Sequence, residues 1–525
     1  MIVIGGLDDQ LGFLVWSKVS NGFFRVGDSY SFYSRFLTDY THPWQSNQPV
    51  WAFALSVFGT IFKENAQLFF VLFTLFLNLY FSYKFFKAYK YGWVYTLLFS
   101  FSTFSWVHMG IHLSLSQLWL IPLFLIYLRK ITEEASSAKN ILQLGIVIAF
   151  SVSISNYIGF FNLLYLSFFV FLSFIRYRDI KFIWVYLKVL FISLSLTAFF
   201  LFPFFSATYI DSSDRHQNLA GTNYTLKRPY EDFFYFSSRP WYFFTPPVKN
   251  PWIGGFGKTM VDKISSTGYF LGLNYFAGEH SANYFGVVFL VTTVVLSFYS
   301  FFVKKFPVEE KRRIILLWLT NLIIVSFMMP PFLTLSGLKI YTPGYLVYLL
   351  FPMFRVTARL SVFLLFNLLF ILSYIISHLH EIYPKKRKFI RYFVVLLVAV
   401  TLFETYIPIK IQKHSQPPEV YSFIGESYSK VNLIVYPYNE SKKAFFWINV
   451  HDSYLINVRD FADDSFESEK FTKELVTKEG FENAVLIENL YLVVNKEASE
   501  EDIDFLKEQS TLIYEDDEHV FLKIS

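Results

Sequence analysis

No cysteine occurs among the 525 residues, which excludes disulfides, thiolate metal sites and cysteine nucleophiles and leaves the compartment unreadable from redox chemistry. Charge is scarce: 17% of residues are Asp, Glu, Lys or Arg, against roughly a quarter in an average soluble protein. Hydrophobic residues make up 54% and aromatics 22%, at a mean hydropathy of +0.39. This balance excludes a disordered tail, a coiled coil and an ordinary cytosolic enzyme. Nucleotide fingerprints are missing too: no Gly-rich loop ends in Gly-Lys-Ser/Thr, no GxGxxG follows a strand, and no Asp-x-Asp stands in a connection read as cytoplasmic. An energy-rich substrate therefore has to come from the membrane or the outer space, and nucleic acid is not an expected partner. No internal repeat is visible and charges are rare in mid-span, which weakens an inverted-repeat transporter and an ion-coupled pump.

The net charge of +5 hides a division. From Lys410 to the end there are 23 Asp/Glu and 12 Lys/Arg, near −11, whereas the remainder holds 18 acids and 34 bases, near +16. Two parts of the chain thus face two environments. In the basic part, apolar stretches close to the ~20 residues that span a bilayer core lie near 66–84, 91–108, 111–128, 140–157, 159–175, 182–206, 283–303, 313–330, 357–378 and 389–408. If Ala66 starts outside, the inner connections carry Lys84, Lys87 and Lys90; Arg129, Lys130 and Lys139; Arg176, Arg178 and Lys181; Lys304, Lys305, Lys311, Arg312 and Arg313; and Lys385, Lys386, Arg387 and Lys388 with Arg391. The alternate connections around Met109 and Ile158 are short and uncharged, and the long one from about Ala207 to Ala282 is close to neutral. This is the positive-inside pattern. The expected fold is a polytopic α-helical membrane protein of about ten transmembrane helices with a C-terminal extracytoplasmic α/β domain. Its parts are an outer N-terminal segment at 1–65, the helical domain at 66–409 with a long outer loop at about 207–282, and the outer domain at 410–525.

Residues 1–47 contain Asp8, Asp9, Lys18, Arg25, Asp28, Arg35 and Asp39, no run long enough to cross and no signal-peptide pattern. The segment is placed outside yet has no visible means of getting there. That favours a first helix upstream of Met1 over transfer by the helices that follow. Residues 49–62 are amphiphilic and too short to span, as suits a helix lying in the outer interface. In the acidic tail, Val431–Tyr436 and Leu490–Val494 have strand composition, and Ser499 caps a helix through about Gln509. Thr511–Tyr514 with His519–Lys523 reads as a hairpin.

Candidate chemistry lies where polar groups meet the membrane without a structural need. In Gly27-Asp28-Ser29-Tyr30-Ser31-Phe32-Tyr33-Ser34-Arg35, a surface carboxylate followed by aromatics and an arginine can accept a proton from a hydroxyl. It can equally hold a divalent cation such as Mg or Mn against a phosphate, or be a solvated loop. Arg355 and Arg359 stand on the side that the charge bias leaves poor in cations. Spaced by four, they can fork onto a lipid phosphate or simply snorkel to headgroups. His108 and His112 have metal-pair spacing but no third ligand nearby, and Asn156 lies at a comparable depth. Glu279, His280 and Glu404 are further outer acids or bases. Trp241, in the Pro-aromatic run Ser238–Pro247, belongs to a loop that either roofs a cavity and stacks on sugar rings or rests on the bilayer.

The outer Gly-Asp, Trp119-Leu120-Ile121-Pro122-Leu123, Ser155-Asn156-Tyr157-Ile158-Gly159-Phe160, the Pro-aromatic loop, Gly278-Glu279-His280 to Tyr284-Phe285-Gly286, and Pro352-Met353-Phe354-Arg355 with Arg359 together resemble bacterial membrane glycosyltransferases of the GT-C type, closest to the YfhO-like membrane proteins. The resemblance covers most of the chain through short, degenerate motifs. It implies transfer of a sugar from a polyprenyl-phosphate-linked donor to a cell-envelope glycan, lipid or protein acceptor on the outer face of the cell membrane. It implies Asp28 as the catalytic carboxylate and Arg355 and Arg359 as contacts to the lipid phosphate. Tyr33, Arg35, Glu279, His280, Asn156 and Trp241 are the accompanying substrate-binding candidates. The other classes left open are an envelope polysaccharide ligase or polymerase, which needs an outer Arg or His and not Asp28, and an inert scaffold or transporter.

Overall fold

Backbone in hydrocarbon has no water to bond to, so each apolar run is expected to close on itself as a helix. The computed structural model describes residues 2–4, 48–62, 65–109, 112–133, 137–205, 228–265, 279–335, 338–409, 411–413, 417–428, 431–441, 444, 447–451, 453–457, 465–487 and 489–524. After strand β1 (Ile2–Ile4) come α1 (Pro49–Phe62), α2 (Ala66–Phe86), α3 (Gly92–Ser100), α4 (Thr103–Met109), α5 (Leu120–Glu133), α6 (Ala138–Ile154), α7 (Asn156–Tyr177) and α8 (Lys181–Phe205). There follow α9 (Asp232–Tyr235), α10 (Gly254–Ser265), α11 (Val287–Phe302), α12 (Val308–Met328), a hairpin of β2 (Phe332–Leu335) and β3 (Leu338–Tyr341), α13 (Gly344–Leu350), α14 (Ser361–Ile382) and α15 (Arg387–Thr405). Among the described residues, 5 stretches are long and apolar enough to cross a membrane: Ala66–Phe86, Asn156–Arg176, Lys181–Phe204, Ser281–Phe302 and Thr357–Ile382. Helix α6 is apolar but shorter, and α12 and α15 open on charged turns.

Two expected crossings are not continuous helices. The stretch 91–108 breaks between α3 and α4, and 111–128 is helical only from Leu120. Irregular backbone at membrane depth needs protein partners, and α2 supplies them. Asn78 Nδ2 donates to Ser116 O at 3.0 Å while its Oδ1 accepts from Trp119 N at 2.8 Å. Gln117 Nε2 donates to Thr74 Oγ1 at 2.9 Å and to Leu113 O at 3.1 Å.

The chain divides into two units, one of Phe70–Phe200 with Ala220–Lys410, the other of Met1–Phe69, Leu201–Leu219 and Ile411–Ser525. In the first, α14 is the central helix, buried along nearly its whole length. A polar clamp ties it to its neighbours: Tyr165 OH of α7 donates to Asn367 Oδ1 at 2.9 Å, and Asn367 Nδ2 donates to Asn321 Oδ1 of α12 at 2.9 Å. Several contacts join helix ends that the charge pattern assigns to one side. Arg176 meets Glu309 at 3.1 Å, Lys90 N donates to Ser377 Oγ at 2.9 Å, and Tyr299 and Tyr383 hydroxyls lie 3.2 Å apart, all at expected inner connections. At expected outer ends, Asn250 Nδ2 donates to Phe403 O, Glu404 O and Tyr406 O at 2.9 to 3.1 Å, closing the C-terminus of α15.

In the second unit, β1 pairs antiparallel with β4 (Ile411–Lys413). Then come α16 (Glu419–Ser427), β5 (Asn432–Tyr436), α17 (Ile448–His451), β6 (Tyr454–Leu455), α18 (Ser465–Glu474), α19 (Lys478–Val485), β7 (Leu490–Asn495), α20 (Glu500–Gln509), β8 (Thr511–Glu515) and β9 (His519–Lys523). The sheet order is β6-β5-β7-β9-β8; β5 runs parallel to β6 and β7, and β9 antiparallel to β7 and β8. The central strand β7, Leu-Tyr-Leu-Val-Val-Asn, is buried throughout, the unbroken pattern of a sheet covered on both faces. One of its covers is α20, whose Leu506 packs with Ile434, Leu492, Val494 and Leu522. Ser499 caps that helix, its hydroxyl accepting from Asp502 N at 3.2 Å. Ser499→Ala is expected to cost about 1 kcal/mol, read as a lower denaturant midpoint with unchanged slope; no shift would remove the cap from the account.

Candidate functional site

The site is assembled from helix ends that lie far apart in sequence. Arg359 sits in a 3-10 turn, Thr357–Leu360, just before α14, and Glu279 stands in the turn that precedes α11. His108 is in the last turn of α4, and Tyr157 in the first turn of α7. Arg359 Nε and Nη2 approach Glu279 Oε1 at 2.8 and 2.7 Å, and the guanidinium lies over the Tyr157 ring, 4.7 Å from its centroid. His108 Nε2 is 3.4 Å from Glu279 Oε2, while its Nδ1 is 2.8 Å from Phe104 O. A carbonyl only accepts, so Nδ1 carries a proton and Nε2 is the nitrogen turned to the carboxylate. Neither Nε2 of His108 nor Oε2 of Glu279 has a hydrogen-bond partner among the described residues. Arg359, Glu279 and His108 are all buried.

Burial by itself disfavours the Glu279 anion, but the Arg359 guanidinium and the His108 ring beside it hold the carboxyl well below the usual carboxylate range. Glu279 is therefore an anion inside the protein, and Arg359 is its counter-ion. Asn283 fixes the turn by donating Nδ2 to Glu279 O at 2.7 Å, and Ser238 Oγ donates to Asn283 Oδ1 at 3.0 Å.

Arg355 is placed differently. It pairs with Asp232, the first residue of α9, and lies 5.0 Å from the centroid of the Phe236 ring, half-buried rather than enclosed. Asp232 escaped sequence reading because an acid in a long polar loop carries no periodicity or spacing that ties it to Arg355. The pairing of Arg359 with Glu279 was equally invisible, although each residue alone stood out.

The other sequence candidates fall around these pairs. Asn156 opens α7 next to Tyr157, and Trp241 lies in the 3-10 turn Pro240–Phe243. His280 is buried with its ring 5.9 Å from that of Tyr242. His112 is exposed, and among the described residues no group of three His, Asp or Glu side chains converges for a metal. Glu404 is occupied as a helix cap: its Oε2 accepts from Val288 N at 3.2 Å, at the start of α11. Gly286, at φ 89°, makes room for it, since a Cβ there would lie 2.9 Å from Glu404 Oε2. Trp252 of the Pro-aromatic loop is stacked on Phe403 at 4.5 Å. Asp28, Tyr33 and Arg35 lie outside the described residues.

The described site is thus an end-of-bundle cluster of one enclosed and one accessible arginine–carboxylate pair. Neither a protein-family model nor a curated protein matches the chain. Solved structures that it resembles include ArnT from Cupriavidus metallidurans bound to undecaprenyl phosphate, at 9% identity and a TM-score of 0.40. Another is ArnT in the apo state, at 9% and 0.42; each alignment covers 100% of this chain and 94% of ArnT. At that TM-score the likeness assigns neither a residue nor a substrate.

Proposed function

We propose that the chain is a multi-pass membrane glycosyltransferase of the GT-C type that moves a sugar from a polyprenyl-phosphate carrier to a cell-envelope acceptor on the outer face, where its C-terminal domain also lies. The finer assignment to the YfhO-like proteins rests on the motif resemblance alone. The observation that carries the reading is the accessible Arg355–Asp232 pair beside the enclosed Arg359–Glu279–His108 cluster, at helix ends that the Lys/Arg bias assigns to the outer surface.

In this reaction the bond between the sugar's anomeric carbon and the phosphate oxygen breaks, and one to the acceptor oxygen forms. The acceptor's proton goes to Asp28, and the charge left on the lipid phosphate is taken up by Arg355, which can exchange its Asp232 partner for phosphate oxygens. Arg359 serves differently, holding Glu279 and the turn around it in place. A divalent cation, Mg or Mn, would be held by Asp28 and would offset the charge of the phosphate.

The test is transfer of labelled sugar from polyprenyl-phosphate donors in membranes that carry the chain. Loss of transfer in Asp28→Asn, with the protein still inserted, supports the reading. Transfer that survives Asp28→Asn but fails without Arg355 favours the envelope ligase or polymerase, for which cations gathered at one end of the bundle are equally suited.

A further inference from the structure

The segment 329–354, which joins the end of α12 to the approach of α14, contains one charged residue, Lys339. It folds as the hairpin β2–β3 followed by α13. Thr342 anchors both parts: its N donates to Pro331 O at 3.0 Å, and its Oγ1 accepts from Gly344 N at 3.1 Å. Gly344 permits the close approach, because a Cβ there would collide with Met329 O. Although firmly held, the segment turns its apolar side chains outward, with Leu338 68%, Tyr341 61%, Leu349 53% and Leu350 65% exposed. Tyr341, Tyr345 and Tyr348 form a row with Tyr230, at ring separations of 4.5 to 6.4 Å.

We propose that β2–β3 and α13 form a ledge embedded at headgroup depth in the leaflet that receives the end of α12, outer by the charge bias. The bilayer is the occupant because the ledge runs directly into Thr357–Ile382, a stretch long and apolar enough to cross, follows α12, which the sequence reads as a span at 313–330, and combines tyrosines with a single lysine, the composition of an interfacial belt. Lys339 is exposed, with its ammonium over the Phe332 ring, 5.0 Å from the centroid, a cation on the ledge that can turn towards headgroups. Depth is limited by the hairpin itself. A two-stranded ribbon leaves outward-facing backbone groups on both edges, which hydrocarbon cannot satisfy and the hydrated interface can. The ledge thereby holds the following Arg355 at the level of lipid phosphates. It rests on the fold and stands or falls independently of the transferase reading.

The absence of native cysteine makes the test clean. Single-cysteine variants Leu338→Cys, Leu349→Cys and Leu350→Cys, with Lys304→Cys as an aqueous control, are labelled with an environment-sensitive fluorophore in vesicles. Quenching by lipids carrying a nitroxide near the headgroup is expected to exceed both iodide quenching and mid-chain nitroxide quenching several-fold at the three ledge sites, with iodide dominating at position 304. Iodide quenching at the ledge equal to the control overturns the proposal. So does dominance of the mid-chain nitroxide, which means a buried span, and so does protection from every quencher, which means a protein partner.

Discussion

Arg359→Ala is expected to destabilise the protein by about 3–5 kcal/mol, the cost of leaving a buried charge without its partner. Glu279 is enclosed and held ionised by Arg359 and His108, so removal of the guanidinium strands an anion that water cannot reach. The signature is non-additivity. Replacing both partners by methionine removes the charge as well as the pair, and the double variant should be more stable than Arg359→Ala. Thermal unfolding of wild type, both singles and the double in one detergent checks this. A double variant no better than Arg359→Ala, or a single costing under ~1 kcal/mol as an exposed pair would, defeats the account. The pH dependence has a definite sign. A carboxyl held below its unfolded value contributes stability above that value and loses it as pH falls through the folded one. Without the guanidinium, burial favours the protonated form of Glu279, so the Arg359→Ala penalty should grow as pH rises above the ordinary carboxylate range and shrink as pH falls back towards it.

Arg355→Ala is expected to behave in the opposite way, lowering kcat/KM of sugar transfer by about 10²-fold with a stability change under ~1 kcal/mol, as for a part-exposed pair. Among the described residues its guanidinium has one carboxylate partner, Asp232, and both are part-exposed, so it can pass to phosphate oxygens without leaving a buried anion behind. Arg355→Lys should recover only part of the rate, because an ammonium keeps the charge but not the fork. Wild-type transfer by Arg355→Ala at unchanged protein level would remove this residue from the mechanism.

Positions 355 and 359 look alike in sequence: same residue type, spacing of four, same expected side of the membrane. Their partners separate them, and both partners lie in other parts of the chain, at Asp232 and Glu279. Glu404 shows the same limit. An outer acid near a helix end reads as a catalytic candidate until Val288 N and Gly286 reveal a cap. The helix break within 91–128 is another instance, since Asn78 and Thr74 of α2 bear the cost of the irregular backbone. Nothing in the sequence pattern singled out these polar residues or showed that they face the turn.

What the amino-acid sequence determined by itself is what depends on local length and composition. Most apolar runs close to spanning length form helices, those at 91–108 and 111–128 being interrupted, and several contacts join helix ends that the Lys/Arg bias assigns to one side. Ser499 and the alternation from Thr511 to Lys523 specified a capped helix and a hairpin. What only the tertiary structure decided is which charges neutralise one another and which stay accessible. Ion pairing depends on distances of a few ångströms between residues far apart in sequence, and no periodicity or spacing along the chain encodes them.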